Sequence, residues 1–352
     1  MASQTFTDKE KINMIKPEKQ FFMFGMGHRE KTVYKDGKLI RVSDNSILYK
    51  WNVKNEKFIF DKYTVILTLT DGSEIKIYEN AEGVFVNGEC ISSSRLNLPD
   101  FEEYKYAEQL RILHHEILIS FRGTEPVPNI YVYNKAWYRD GAMMALVLEK
   151  TGNVELMRPW AESVKELYDR NNKGNKEPDN LGQLAFVLSF FVNKDHPMVK
   201  AILDEAMRIM ENGCLTGITD YNHHEIYSTL WLKFGLSRLG INTDFISIPQ
   251  QFDDYARMFW MDKSEVEAST PYENKYDTWY PYLWWARQHF TGAPITDDLL
   301  DIKYPMSWEI NASEADYDAI APLSKEYAIN KCGAPHSWHA AEMFMYLIEF
   351  LK

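Results

Sequence analysis

Residues 126–145, PVPNIYVYNKAWYRDGAMMA, pass from an extended run rich in proline and tyrosine to a run of small and apolar residues that favours a helix. Arg139 and Asp140 stand at this junction, so both are predicted at the start of a helix, next to a loop. One interpretation is structural, with Asp140 as helix N-cap and Arg139 as its ion-pair partner. The other is a ligand pocket, in which the charged pair binds neighbouring hydroxyl groups and rings such as Tyr133 and Trp137 surround it.

The chain before this segment has the pattern of short antiparallel strands. Residues 58–60, 64–69, 74–78 and 84–86 are rich in β-branched and aromatic residues, and turn pairs such as Asp36-Gly37, Asp71-Gly72 and Asn87-Gly88 separate the runs. The pair Pro99-Asp100 ends this pattern. We therefore expect residues 1–100 to form a small region of β-hairpins.

From residue 101 onward the apolar residues recur with a helical period. Ten to twelve helices of similar length are expected, joined by loops of unequal length. The predicted helices cover residues 104–121, 141–150, 156–168, 181–191, 198–210, 229–239, 252–260, 282–290, 312–320 and 338–350. An irregular bundle and a closed toroid of six helical hairpins both fit this period, and the near-equal hairpins with long loops favour the toroid. The prediction is a mainly α protein, in which residues 101–352 form an (α/α)6 toroid after the small β region.

Composition narrows the classes of partner. The net charge of −12 disfavours nucleic acid as a partner, and no apolar run approaches the roughly 18 residues that a membrane span requires. The first twenty residues lack the apolar segment of a signal peptide, and the three cysteines are widely spaced, so a cytoplasmic protein is expected. Aromatic residues make up 14% of the chain, and many stand beside carboxylates, histidines and amides, as in carbohydrate sites.

Further helix starts carry polar side chains. Asp179, Asn180 and Gln183 open one predicted helix, where a capping role and a pocket-lining role are both open. Residues 219–231, TDYNHHEIYSTLW, lead into another predicted helix. This segment contains Asp220, His223, His224 and Glu225. Two consecutive histidines are not both aimed at one ion by a helix or a strand, so we predict no metal and no cofactor.

The last third of the chain supplies further candidates. Trp279 and Tyr280 precede a proline in a dense aromatic run and are candidates for stacking on a sugar ring. Nearer the C-terminus, carboxylates stand beside aromatic residues and histidines. These candidates are Trp308, Glu309, Glu314, Glu326, His336 and Trp338.

The order of these motifs resembles that of the glucoamylase-like six-hairpin glycosidases, which are (α/α)6 barrels. The resemblance implies that Arg139 and Asp140 bind the sugar at the cleavage subsite. It implies that Asp220, eight residues before Ser228, is the general acid, with Glu225 as a substitute. It also implies that Glu326, ahead of Ser337-Trp338, is the catalytic base, with Glu309 and Glu314 as competitors. The remaining binding candidates are Tyr133, Trp137, Asp179, Asn180, Gln183, His223, His224, Trp279, Tyr280, Trp308, His336 and Trp338.

The expected function is hydrolysis of a glycoside or oligosaccharide with inversion, in which one carboxyl protonates the leaving group and the other activates a water molecule. A lyase or epimerase that uses tyrosine and histidine is a second possibility, and a non-catalytic carbohydrate-binding protein is a third. The sugar, the anomer, the choice of exo or endo cleavage and the oligomeric state are left open. The glycosidase hypothesis requires residues near positions 140, 180, 220 and 326 to converge.

Overall fold

The computed structural model describes residues 21–248 and 304–350. The helices predicted at residues 252–260 and 282–290, and the candidates Trp279 and Tyr280, lie outside the described residues.

Two antiparallel sheets come first. Strands β1 to β4 pair in chain order as one sheet, and strands β5 to β9 pair in chain order as a second sheet. The strands are β1 (Phe21–Phe24), β2 (Thr32–Lys35), β3 (Lys38–Arg41), β4 (Ile47–Lys50), β5 (Val53–Ile59), β6 (Thr64–Leu69), β7 (Glu74–Glu79), β8 (Gly83–Val86) and β9 (Glu89–Ser93). The β-hairpins predicted for this part of the chain are thus present.

The predicted turn pairs connect adjacent strands. Asp36 and Gly37, between β2 and β3, have φ angles of 50° and 72°, and Asn87 and Gly88, between β8 and β9, have φ angles of 49° and 85°. Two successive positive φ angles give the turn whose twist matches a hairpin, and aspartate, asparagine and glycine adopt them at the lowest cost. These turns are therefore determined by the local sequence.

Helices follow the sheets. Among the described residues they are α1 (Ala107–Ile119), α2 (Tyr138–Lys150), α3 (Arg158–Ser163), α4 (Asp179–Leu188), α5 (Pro197–Ile209), α6 (Glu225–Arg238), α7 (Lys325–Ile329) and α8 (Ser337–Phe350). Helix α8 packs between α1 and α2, α2 also packs on α4, and α4 packs most closely on α6. This row of buried helices forms much of the hydrophobic core.

The first sheet is attached to the helices through α1. Fully buried His115 of α1 stacks on Phe22 of β1, and one of its ring nitrogens lies 2.9 Å from the carbonyl oxygen of Met23. The apolar face of β1 is thereby part of the same core as the helices.

Short β-ribbons interrupt the helical part of the chain. Strand β10 (Phe121–Arg122) pairs with β11 (Glu125–Pro126), β12 (Met210–Glu211) pairs with β13 (Cys214–Leu215), and β14 (Glu309–Ile310) pairs with β15 (Cys332–Gly333). The described residues therefore contain five separate antiparallel sheets, with 36% of residues in helices and 21% in strands. The protein is a mixed α/β structure, and the prediction of a mainly α protein with an (α/α)6 toroid is wrong.

Two of the predicted helices show why the spacing of apolar residues gave wrong helix predictions. Residues 312–320 contain only a 3-10 turn at Tyr317–Ile320, because Asn311 and Glu314 adopt φ angles of 55° and 57°, which a right-handed helix excludes. Residues 156–168 contain the end of a 3-10 helix at Val154–Met157 and the short helix α3. Ala312, Ala315 and Tyr317 contact the core from a loop, so their spacing reflects burial without a helix.

Among residues 21–248 and 304–350, no helix combines the length and the apolar character that crossing a bilayer requires.

Candidate functional site

The N-terminal ends of α2, α4, α6 and α8 meet at one place. Nε of Arg139, in the first turn of α2, lies 2.9 Å from Oδ2 of Asp179, in the first turn of α4. The amide of Gln183 in α4 lies 3.5 Å from the hydroxyl of Tyr227 in α6. We call this region the helix-end site. Its defining residues are Arg139, Asp140, Asp179, Gln183, Tyr227 and Ser337.

The local sequence explains why carboxylates tolerate this buried position. Asp140 and Asp179 are 3% and 0% exposed, and each lies in the first turn of its helix. The first turn of a helix has unpaired N–H groups and carries partial positive charge, which stabilises a nearby carboxylate. Four helix starts at one point therefore favour an anionic cluster.

Arg139 is the cation at the centre of the cluster. Its guanidinium contacts Asp179 at 2.9 Å and Glu177 at 3.4 Å, and it lies 3.9 Å from Oδ1 of Asp220. The indole of Trp338 covers it, with the guanidinium carbon 5.3 Å from the ring centroid. Arg139 thus connects the loop before α4 and the turn before α6 to the start of α2.

Asp140 connects α2 to α8. The hydroxyl of Ser337 donates a hydrogen bond of 2.8 Å to Oδ1 of Asp140. Burial raises the pKa of the Asp140 carboxyl to about 6, although His336 and the Ser337 hydrogen bond act in the opposite direction.

Glu309 enters the site on a β-ribbon. Strand β14 pairs Glu309 with Gly333 of β15, which brings the carboxylate next to the residues that open α8. Oε2 of Glu309 lies 2.6 Å from Nε2 of His336 and 3.8 Å from Nε2 of His339. Burial acts to raise the pKa of Glu309, but His336 and His339 outweigh it, so the pKa lies below its usual value. Burial lowers the pKa of His339 to about 3, which keeps that ring neutral.

A buried carboxylate outside the site anchors this ribbon. Glu116 of α1 is fully buried and accepts hydrogen bonds from the backbone N–H of Met306 at 2.5 Å and of Ser307 at 3.0 Å. The Ser307 hydroxyl donates to Glu116 at 2.5 Å and accepts from the backbone N–H of His336 at 3.0 Å. Glu116 therefore holds the segment before Glu309 and the start of α8 together.

Tyr133 lies within electrostatic range of Asp140, Asp220 and Glu309. Its phenol is 6% exposed, and its pKa is raised well above the usual value by burial and then by the charges of Glu309, Asp140, Tyr317 and Asp220. Its ring packs edge-on against Trp137 at 5.5 Å and against His336 at 6.3 Å between centroids. One tyrosine is thus surrounded by carboxylates from α2, β14 and the turn before α6.

Three loops form the rim of the site. The hydroxyl of Tyr221 lies 2.6 Å from the hydroxyl of Ser313, which donates to Oδ1 of Asn172 at 2.9 Å. Asp220 and Tyr221 both adopt left-handed backbone conformations, with φ angles of 47° and 70°. Such conformations are uncommon for residues other than glycine and concentrate at functional sites. Tyr221 remains 48% exposed, so its ring is accessible from solvent.

Most of the candidates predicted from the sequence lie in or against this site. Trp308 is buried directly before Glu309, and Asn180 donates to the Gln183 side chain at 3.3 Å. The predicted residues that the structure brings together are Tyr133, Trp137, Arg139, Asp140, Asp179, Asn180, Gln183, Asp220, Trp308, Glu309, His336 and Trp338.

The other candidates have different surroundings. His224 is the N-cap residue of α6, and Glu225 lies in its first turn, while the side chain of His223 is 69% exposed and lies 3.8 Å from Glu225. Glu314 is exposed in the rim loop. Glu326 lies on α7, where its charge acts on Tyr327 and Cys332, and α7 packs on β15 and on the 3-10 turn at Tyr317–Ile320. Among the described residues, the ion pairs of the helix-end site thus involve Glu309, whereas the charge of Glu326 acts on residues next to α7.

Sequence reasoning missed several residues of the site. Glu177 accepts a hydrogen bond of 2.6 Å from the backbone N–H of Asp220, and Glu342 is 1% exposed with Oε2 3.5 Å from Nδ1 of His339. His339 and Glu342, three residues apart, lie on one face of α8, and His336 directly precedes this helix, so the spacing was an available signal. The residues that the sequence did not indicate as part of the site are Asn172, Glu177, Ser313 and Glu342.

Comparison with protein-family models, curated proteins and solved structures found no match to this chain. The side chains of the site therefore carry what can be inferred about its chemistry. Buried Arg139 and Asp140 offer donors and acceptors to adjacent hydroxyl groups, and aromatic rings stand around them. Asp220 and Glu309 keep 30% and 21% of their side chains exposed, so water and a substrate can reach both carboxylates.

Proposed function

We propose that the protein is a glycoside hydrolase whose catalytic carboxyl groups are Asp220 and Glu309. The observation that carries the proposal is that both carboxylates are partly exposed and belong to one cluster, Asp220 beside Arg139 and Glu309 beside His336, in a site whose other carboxylates are buried. Glycoside hydrolysis requires two accessible carboxyl groups facing one bond and a polar surface that holds the sugar ring. Glu309 takes the place that the resemblance to glycosidases had assigned to Glu326.

Each residue has a role in this proposal. Asp220 protonates the departing glycosidic oxygen, and Glu309 accepts a proton from the attacking water molecule. Arg139 and Asp140 bind the ring hydroxyl groups, and fully buried Asp179 holds the Arg139 guanidinium in place, so that binding energy from the non-reacting parts of the sugar orients the bond that breaks. Tyr221 supplies an exposed ring face at the rim for stacking.

The experiment is a screen of the purified, chelator-treated protein against aryl-glycosides and short oligosaccharides, with NMR detection of the first-formed anomer. We expect inversion, and we expect Asp220→Asn and Glu309→Gln each to lower kcat by about 10²–10⁴-fold, the usual contribution of a general acid or base. Glu326→Gln is the matched control and should retain activity. Loss of activity in Glu326→Gln with full activity in Glu309→Gln would contradict the proposed pair.

A lyase or epimerase is less well supported by the same residues. Such an enzyme would use Tyr133 or a histidine to remove a proton from carbon, and Tyr133 stands beside His336. Burial and three neighbouring carboxylates raise the pKa of Tyr133, however, which disfavours the phenolate that a tyrosine base requires. An unsaturated or isomerised product in the screen would favour this function over hydrolysis.

A further inference from the structure

We propose that Glu309, His336 and His339 form a binding site for a divalent transition metal ion of the zinc class. One carboxylate oxygen and one nitrogen from each ring lie within 4.8 Å of one another. Nε2 of His336 is 2.6 Å and Nε2 of His339 is 3.8 Å from Oε2 of Glu309. Two imidazoles and one carboxylate are a donor set that zinc and related ions use in proteins.

The spacing of the three donors suits a small ion. Donor atoms that each lie about 2.0–2.1 Å from a tetrahedral ion are separated from one another by about 3.3 Å. The two distances from Glu309 fall on either side of this value. Side-chain rotations that move the donor atoms by about an ångström therefore complete the geometry. Three protein ligands leave one position for water.

His336 has an unusual environment for a ring without an ion. It is 2% exposed, Nδ1 is buried without a hydrogen-bond partner among the described residues, and Nε2 lies 2.6 Å from Oε2 of Glu309. A buried polar atom without a hydrogen bond is costly, and metal coordination is one way to satisfy it. The ring points to the same carboxylate oxygen as His339, so one ion would serve both.

Glu342 lies where an outer carboxylate would, that is, a carboxylate that contacts a metal-binding histidine and not the ion itself. Its Oε2 lies 3.5 Å from Nδ1 of His339, one helical turn further along α8, and the side chain is 1% exposed. A carboxylate behind a metal-binding histidine fixes the ring and directs its other nitrogen to the ion. This arrangement directs Nε2 of His339 toward Glu309.

Glu309 is shared between this metal site and the proposed hydrolase. The consequence, which rests on the proposed function, is that a bound ion occupies the carboxylate that would activate water, so the metal should inhibit hydrolysis. Metal binding itself does not depend on that function. A chain that binds the ion but cleaves no glycoside would refute the hydrolase and leave the metal site intact.

The test is calorimetric titration of the chelator-treated protein with Zn²⁺, with Co²⁺ absorption as a second readout. We expect one equivalent to bind, and we expect His336→Ala and His339→Ala each to abolish this binding. Glu342→Gln should weaken it by about 10–100-fold, the usual effect of losing an outer carboxylate. His223→Ala removes an exposed histidine beside the site and is the matched control, with binding unchanged.

Circular dichroism of each variant establishes that the fold is retained. If His339→Ala unfolds, the more conservative His339→Gln is measured in its place. Absence of stoichiometric binding to the folded wild-type protein would overturn the proposal. Binding that survives both histidine substitutions, or that His223→Ala removes, would equally overturn it, because the ion would then be bound elsewhere.

Discussion

Arg139 compensates most of the buried negative charge in the helix-end site. It is 3% exposed and contacts Glu177 and Asp179, which are equally buried. A charge buried without its partner costs far more than the ion pair itself contributes, because the remaining group has lost its water. The stability of the site therefore depends on this one guanidinium.

We expect Arg139→Met to lower the free energy of unfolding by about 3–5 kcal/mol, the cost of breaking a buried ion pair. Urea denaturation measures the change. Arg208→Met is the control, because Arg208 also contacts a glutamate, Glu205, at 2.7 Å but its side chain is 63% exposed. An exposed pair contributes about 1 kcal/mol or less. Equal losses of unfolding free energy in Arg139→Met and Arg208→Met would contradict the prediction, because burial would then not increase the cost of breaking the ion pair.

For single residues, the sequence predicted the place of a side chain in a helix or loop better than it predicted which other residues that side chain contacts. Arg139 and Asp140 lie at the start of a helix as expected, because the change from loop to helical period is local. Glu177 was not recognised, because its contacts with Asp220 and Arg139 come from parts of the chain about forty residues away. Glu326 was ranked ahead of Glu309 on the resemblance alone, because both stand in polar, aromatic surroundings in the sequence.

Among the elements, helices α4 and α6 approach most closely, and glycine makes this possible. A Cβ atom on Gly182 would lie 2.2 Å from the backbone of Trp231 and Leu232, and one on Gly235 would lie 2.5 Å from the carbonyl oxygen of Gly182. The two backbones are therefore in direct contact. This contact sets the distance between the helix starts that carry Asp179 and Tyr227.

We expect Gly182→Ala to destabilise the protein, although alanine is the better helix former by about 1 kcal/mol. The methyl group would overlap backbone that cannot rotate away, and overpacking of a core costs about 1–3 kcal/mol or more. Thermal unfolding provides the measurement, and Ser237→Ala on the exposed side of α6 is the control. A Gly182→Ala variant as stable as wild type would mean that the helices separate at little cost.

At the scale of the whole molecule, the region where α1 meets the first sheet and α8 contains two buried histidines. His114 and His115 are fully buried, and burial lowers the pKa of each to about 3. In the unfolded chain a histidine has a pKa near 6.5. Between these values the unfolded chain binds more protons than the folded one, so acid favours unfolding.

Above about pH 6.5 both rings are neutral in the folded and the unfolded chain, so they do not lower the free energy of unfolding. As the pH falls from there toward about 3, they lower it progressively. We expect the free energy of unfolding to fall by up to about 1.4 kcal/mol per pH unit for each ring. In His115→Gln the slope of the unfolding free energy against pH should lose the contribution of one proton, as measured by urea denaturation between about pH 4 and pH 7. His223→Gln should leave the slope as in the wild type. An unchanged slope in His115→Gln would contradict the neutral, buried state of this ring.

The local sequence by itself determined the turns, strands β6, β7 and β8, and the starts of the main helices to within a few residues. Asp36-Gly37 and Asn87-Gly88 form hairpin turns because aspartate, asparagine and glycine tolerate positive φ angles wherever they occur. Such features depend on a few neighbouring residues, so no distant contact is needed to predict them.

The tertiary structure decided the fold class and the membership of the site. Two-residue ribbons such as β14–β15 have no periodic signal, and a loop that packs on the core can imitate a helix, as residues 312–320 do. Which carboxylates meet depends on how α2, α4, α6 and α8 pack, because side chains up to about two hundred residues apart, such as Asp140 and Ser337, form hydrogen bonds only after the helices have assembled. Pairing across such separations is a property of the packed core and not of any single segment.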